Sequence, residues 1–282
     1  MSATYMEIQL SVTSTREFLI NESFESILRF NGVSTARALY EILSEPVKNV
    51  LKERGTGRVF LRDPRGGPDI ECYLKRYLQP SMKDRIKCAT AFKPVFSSGA
   101  LHEWTALCAF HREGLNTMTP IAAGFFADKT CNLTLGIKDY VRASELFRSE
   151  LKTDLERRRN LIIKIAEYVA RMHCAGLAHQ DFYLVHLFIK PDEGDAIYLI
   201  DLQRVIMQKH LARRWIIKDL AQIHFSLAPF ISAKEVALFQ QTYNTAHPVP
   251  VKIWNTIEKK AFRIKKHAEK KGMSHENNRH SR

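Results

Sequence analysis

Long apolar runs are what this sequence most clearly lacks. A bilayer-spanning helix needs roughly 18 or more consecutive apolar residues, and the best stretches, Thr119 to Ala127 and Phe225 to Ala233, hold nine residues each. No basic start followed by an apolar core opens the chain, so no secretory signal is expected. Glycine and proline are scarce, 12 and 10 in 282 residues, which excludes collagen-like and low-complexity chains. The five cysteines, Cys72, Cys88, Cys108, Cys131 and Cys174, are odd in number, and there is no C-x-x-C and no His/Cys cluster at zinc spacing. Reduced thiols in a cytosolic protein are the expectation. Acidic residues are in deficit: 30 Asp and Glu face 43 Lys and Arg, a net charge of +13. Residues 252–282 hold ten Lys/Arg and three Asp/Glu, so +7 of that sits in the last stretch. Such a field favours anionic partners, whether nucleic acid, an acidic lipid surface or phosphorylated glycans.

What is present is an ordinary globular composition, 45% apolar and 26% charged. The length suits one large domain or a two-lobed one. Gly55-Thr-Gly-Arg-Val-Phe-Leu-Arg62 reads as a turn into a strand, Asp63-Pro-Arg-Gly-Gly-Pro68 as a hairpin loop, and Asp69 to Tyr77 as the returning strand. His102 to Glu113 reads as a helix with Gly114 as its stop. Thr134 to Tyr140 reads as a strand running into a connector. A long helix is expected from Thr153 to Cys174, because Leu161, Ile165, Val169 and Met172 form one apolar stripe of period 3.6. Strands follow at Val185 to Ile189 and Ala196 to Ile200, with a turn at Pro191 to Gly194, and Leu211 to Lys271 reads as mostly helical. Strands dominate the first half and helices the second, an α+β pattern with two lobes.

Chemistry concentrates where the long helix ends. Met172-His-Cys-Ala-Gly-Leu-Ala-His-Gln-Asp181 closes a helix, turns at a glycine and presents a His-x-Asp. Asp201 stands twenty residues later at the end of an apolar strand. One such carboxylate can orient or deprotonate a hydroxyl while the other holds a divalent metal, the pair that phosphoryl transfer needs.

At these residues the chain resembles the protein-kinase-like fold: His179-Gln180-Asp181 stands where those kinases have H-R-D, and Asp201 where they have D-F-G. Lys75 matches the strand lysine that contacts ATP phosphates, Glu103 its helix-borne partner (Glu113, on the same predicted helix, being a rival), and Gly55-x-Gly57 part of a Gly-rich loop. More narrowly, the chain is similar to the bacterial lipopolysaccharide core kinases that act on heptose or Kdo, nearest the heptose(I) kinases. The matching segments are His179 to His186, Leu199 to Arg204, Arg213 to Leu220, Glu103-Trp104 and Gly114 to Pro120.

That resemblance implies a bilobal protein-kinase-like fold with a strand-rich small lobe over 1–136, a helical large lobe over 137–251 and a basic helix and tail over 252–282. The cleft is expected near 137–145. It implies ATP and Mg²⁺ as cofactors, with Asp181 as catalytic base, Asp201 and His186 at the metal, and Lys75 on the α- and β-phosphates fixed by Glu103. Gly55, Gly57, Ile137 and Tyr140 would border the nucleotide, while His179 and Asp219 would support the catalytic loop. The implied substrate is a sugar hydroxyl of the lipopolysaccharide inner core, most simply the first heptose, with a Kdo kinase or a vestigial basic membrane- or nucleic-acid-binding module as the rivals. The basic charge suits an anionic lipid A glycolipid, so no nucleic-acid partner is expected. His186 stands where protein kinases carry a metal-binding Asn, and Leu202 replaces the Phe of D-F-G. Both departures fit the sugar kinases better than a regulated protein kinase. Trp254, Ile257, Ala261 and Ile264 lie at helical spacing amid Lys and Arg. Such a seam can lie on the cytoplasmic face of the inner membrane or pack on the large lobe.

Overall fold

The structure is a computed structural model and describes residues 12–15, 17–47, 54–78, 99–126 and 129–270. Within these the chain forms two compact units. One holds the described residues up to His111 together with Met118–Ile137; the other holds Arg112–Thr117 and the described residues from Lys138 onward. Cys88 and the last residues of the basic tail, His275 to Arg282, lie outside the described residues. Among the described residues Cys72, Cys131 and Cys174 are free thiols.

The first unit is built on a seven-stranded sheet. Its strands are β1 (Val12–Ser14), β2 (Phe18–Asn21), β3 (Glu45–Pro46), β4 (Arg54–Leu61), β5 (Ile70–Leu78), β6 (Pro120–Phe126) and β7 (Lys129–Leu135). They lie in the order β1-β2-β6-β7-β5-β4-β3. The expected hairpin is there: β4 and β5 run antiparallel, closed at Leu61 opposite Ile70. Asp63 shapes the loop by accepting the Arg65 N–H at 2.9 Å, and Gly66 takes the left-handed turn at φ +76°. Side chains alternate along β5. Cys72 and Leu74 face one side, where they join Leu61, Leu133 and Ile121 under the short helices α1 (Glu25–Phe30) and α2 (Ala36–Glu41). Lys75 and Tyr77 face the other, toward the helix α3 (Ala100–Arg112).

One expectation is corrected here. Gly55 and Gly57 do not form a turn; both sit inside β4, opposite Arg76 and Leu74 of β5. A side chain at position 57 would run into the Ser44 side chain, so the close approach of Ser44 accounts for that glycine.

The second unit is mainly helical. Its longest helices are α5 (Leu155–Cys174), α6 (Arg213–Leu227), α7 (Ala233–Ala246) and α8 (Val251–Lys270), with a shorter α4 (Ala143–Arg148) before them. Asp154 caps α5 by accepting the Arg157 N–H at 2.9 Å. The stripe Leu161, Ile165, Val169 and Met172 is buried as its period requires, and α5 packs on α7. Gly176 ends the helix at φ +75°, where a side chain would collide with the Gln208 carbonyl. Of the two strands expected next, Ala196–Leu199 forms as read, while the other begins at Leu187, not Val185. Leu184–His186 curls into a 3₁₀ turn instead, because the Leu184 N–H is taken by the Ser226 hydroxyl at 3.2 Å and not by a ladder.

The seam on α8 is also settled locally. Trp254, Ile257 and Ala261 are buried, and α8 packs on α6. Those side chains complete this unit's own core and are not free to enter a lipid surface.

Candidate active site

In the first unit the candidate site residues are Lys75, Glu103 and a tyrosine that the sequence did not single out. Lys75 on β5 and Glu103 in the first turn of α3 meet at 2.5 Å, ammonium to Oε1. The Glu103 side chain is fully buried, and that of Lys75 is 14% exposed. Tyr77, two residues along the same strand face, donates its hydroxyl to the other carboxylate oxygen at 2.5 Å. A buried carboxylate must be compensated on both oxygens, and here both are. Glu113 lies beyond the end of α3 and is exposed, so the rival for Lys75 is removed. Ile137 follows Gly136, whose N–H is held by the Glu71 carbonyl at 2.8 Å.

In the second unit the catalytic-loop candidates are held from one face of α6. Asp219 is fully buried and accepts the N–H groups of His179 and Gln180, each at 2.7 Å. One turn on, the Gln222 side chain accepts the Phe182 N–H at 3.0 Å and donates to the Gln180 carbonyl at 3.2 Å. A further turn on, Ser226 takes the Leu184 N–H. Residues 219, 222 and 226 are thus one polar ridge that organises the loop backbone. Only Asp219 was expected there; the signal for the other two is their helical spacing from it. The grip matters because Gln180 sits at φ +68°, a left-handed conformation that costs a non-glycine residue about 1–2 kcal/mol.

A second set of bonds stitches the loop to the end of β9 (Ala196–Leu199), the antiparallel partner of β8 (Leu187–Lys190). The Ile200 N–H goes to the His186 carbonyl at 3.0 Å, and the Ile200 carbonyl meets His179 Nε2, also at 3.0 Å. Asp201 then leaves the strand at φ +65°. The result brings Asp181, His186 and Asp201, all half-buried, to one place: one potential ligand atom of each lies within 4.8 Å of the others. His186 Nδ1 is 2.7 Å from the Asp181 carbonyl. A carbonyl only accepts, so the neutral ring carries its proton on Nδ1 and offers the lone pair on Nε2.

Two carboxylates and one imidazole nitrogen fit a divalent ion that keeps its remaining positions for water and phosphate oxygens, as Mg²⁺ does. Burial pushes the His179 imidazole below its ordinary value, and His186 adds to this, against the opposing pull of Asp219, Asp181 and Asp201. A neutral, fully buried His179 bonded to main chain is a supporting residue. Tyr140 is half-buried, its ring edge-on to Tyr198 at 4.7 Å.

The comparisons with known proteins bear on the family. The model of the lipopolysaccharide kinase (Kdo/WaaP) family matches residues 44–243. The lipopolysaccharide core heptose(I) kinase WaaP of Escherichia coli (strain K12) is 26% identical over 224 residues, 71% of this chain and 82% of that one. Its namesake in Pseudomonas aeruginosa is 30% identical over 167 residues, 55% of this chain and 62% of that one. A solved structure of WaaP in complex with acyl carrier protein superposes with a TM-score of 0.66 over 85% of this chain and 96% of that one. At 22% identity that likeness speaks for the fold alone.

Proposed function

The chain belongs to the lipopolysaccharide kinase (Kdo/WaaP) family, and on that footing we propose that it is an ATP-dependent kinase of a heptose hydroxyl in the lipopolysaccharide inner core. The observation that carries the chemistry is the convergence of Asp181, His186 and Asp201 within 4.8 Å. Relatives named heptose(I) kinase over most of their length support the acceptor.

Asp181 receives the proton of the acceptor hydroxyl as its oxygen bonds to the γ-phosphorus and the bond to the β-phosphate oxygen breaks, releasing ADP. Asp201, with His186 beside it, holds Mg²⁺, which when bound neutralises phosphate charge. Lys75, locked by Glu103, lies on the α- and β-phosphates. Gly55, without a side chain, lets a strand backbone lie close to the nucleotide, whereas the space at Gly57 is taken by Ser44, and the main chain of Ile137 to Tyr140 meets adenine. Asp219, Gln222 and Ser226 keep the loop that bears Asp181 in its one productive backbone conformation, so less of that ordering is left to the reaction itself.

The glycolipid and the ATP meet at the cytoplasmic face of the inner membrane, where we place the enzyme as a peripheral protein. Among the described residues no helix is long and apolar enough to cross a membrane. With its apolar seam buried, α8 would contribute charge to such an association, through Lys259, Arg263, Lys266 and Lys270 on one exposed face, together with the exposed Phe262 ring. Each cation is worth about 1 kcal/mol near an anionic surface.

The test is transfer of label from γ-labelled ATP to lipopolysaccharides truncated before and after the first heptose. Label is expected only when heptose is present. Label on a heptose-free Kdo–lipid A would move the acceptor to Kdo, and no label on either would end the kinase reading.

A further inference from the structure

A buried polar link runs from the helical core to the catalytic loop, and two of its members have no part in the chemistry described so far. His173 lies in the last turn of α5 and Tyr243 on α7. Both are buried, 3% and 0% exposed. Both ring nitrogens of His173 are engaged: Nδ1 lies 2.7 Å from the Tyr243 hydroxyl, and Nε2 lies 3.4 Å from Oδ2 of Asp219. Tyr243 is braced in turn by Trp254 of α8, edge to face with ring centroids 5.7 Å apart.

The carboxylate fixes which group donates. It only accepts, so His173 carries its proton on Nε2 and, as the neutral ring, turns the Nδ1 lone pair to Tyr243. Burial holds the Tyr243 hydroxyl above its ordinary value, with Cys174 and Asp219 adding to the shift, so the hydroxyl keeps its proton and donates to Nδ1. Asp219 then receives four donors. The His179 N–H and the His173 ring meet Oδ2. The Gln180 N–H and, at 3.4 Å, the Gln180 side-chain amide meet Oδ1. Three of the four come from the loop that Asp219 has to hold. Among the described residues the His173 bond is the one that reaches the carboxylate from outside the loop, so it ties the plane of that group to the helical core. Stability does not call for a polar pair here. Two apolar side chains of similar size would fill the space without the desolvation that a buried imidazole and a buried hydroxyl cost.

We infer that His173, oriented by Tyr243, is a positioning residue for phosphoryl transfer: its Nε2–H fixes the plane of the Asp219 carboxylate and, through it, the backbone at His179 and Gln180 that sets Asp181. The inference rests on the kinase reading and deepens it by tracing the geometry of the catalytic loop back to α5 and α7. The link is static, and no proton moves along it.

The test uses two substitutions that each keep half of the imidazole. In His173→Gln the side-chain amide reaches the place of Nε2 and can still donate to Asp219. In His173→Asn the shorter amide stands at the place of Nδ1 and meets Tyr243 alone. A histidine that only fills the core would suffer alike from both. His173→Gln should keep kcat within about threefold of wild type, whereas His173→Asn should lose roughly tenfold to a hundredfold, with the KM for ATP and for the heptose-bearing glycolipid each within about twofold. Tyr243→Phe, which leaves the Asp219 bond in place but unpins the ring, should fall between them. Equal kcat in the Gln and Asn variants, or a loss carried by either KM, would overturn the inference. Amide hydrogen exchange gives a readout that needs no turnover: over residues 177–184 His173→Asn should exchange roughly tenfold faster than wild type, and His173→Gln should not. If wild type transfers no phosphate, the kinase reading fails separately, and exchange decides whether His173 holds the loop; equal protection in all variants refutes it. Should His173→Asn not fold, Tyr243→Phe takes its place in both measurements, and wild-type kcat with wild-type exchange in that variant refutes the inference.

Discussion

The Lys75 ammonium and the Glu103 carboxylate lie 2.5 Å apart, with Glu103 fully buried and held from its far side by Tyr77. Replacing Glu103 by Gln removes the charge that aims Lys75, so the KM for ATP should rise roughly tenfold or more. Tyr77→Phe deletes one of the two bonds that compensate a buried carboxylate and should lower stability by about 1–3 kcal/mol in chemical denaturation. A Tyr77→Phe protein as stable as wild type would mean that Glu103 finds its compensation elsewhere.

Asp219 carries two main-chain N–H groups of the catalytic loop, one of them from Gln180 at φ +68°. Asp219→Ala should therefore act twice. It should cost about 3 kcal/mol or more in stability, because two buried donors lose their acceptor. It should also depress kcat more than the KM for either substrate, because the loop that bears Asp181 loses its fixed conformation. A variant that is destabilised but turns over normally at low temperature would confine Asp219 to a folding role.

Three histidines outside the catalytic loop, His111, His224 and His247, are held below their ordinary value of 6.5, in each case chiefly by burial. Nδ1 of His224 and of His247 has no hydrogen-bond partner among the described residues. A folded-state value below the unfolded one means that the unfolded chain binds protons first as pH falls. Their contribution is complete above 6.5 and is lost as pH drops through the window beneath it, with a slope of at most about 1.4 kcal/mol per pH unit for each residue. Denaturation midpoints should fall between pH 7.5 and pH 5.5, and replacing His224 by Gln should flatten the fall. A midpoint that rises on acidification would contradict these assignments.

Much of the site was legible because its residues announce themselves by type and spacing. Alternation along β5 put Lys75 on a definite face, and the strand end at Asp201 and the glycine stop at Gly176 bracketed the loop that carries Asp181. What was hidden works through main chain. Gln222 and Ser226 bind amide groups at 182 and 184, whose side chains give no hint of it. Tyr77 reads as one more residue of an alternating strand until Glu103 is found behind it. The glycines at 55 and 57 have the composition of a turn, yet ladder pairing with β5 overrides that local preference. The seam from Trp254 to Ala261 has the same spacing whether its partner is lipid or protein, and only the presence of α6 decides between them.

The most direct test of the central claim, that Asp181 acts on the acceptor and Asp201 on the metal, is one paired measurement on Asp181→Asn and Asp201→Asn. Single-turnover transfer from labelled ATP to the heptose-bearing glycolipid is followed alongside equilibrium binding of Mg²⁺-ATP. Both variants should lose transfer by about 10² to 10⁴-fold or more, the usual worth of a positioned general base. Asp181→Asn should still bind Mg²⁺-ATP as wild type does, while Asp201→Asn should bind it measurably more weakly. Near-normal transfer by Asp181→Asn, or equal nucleotide binding by both variants, would contradict the account.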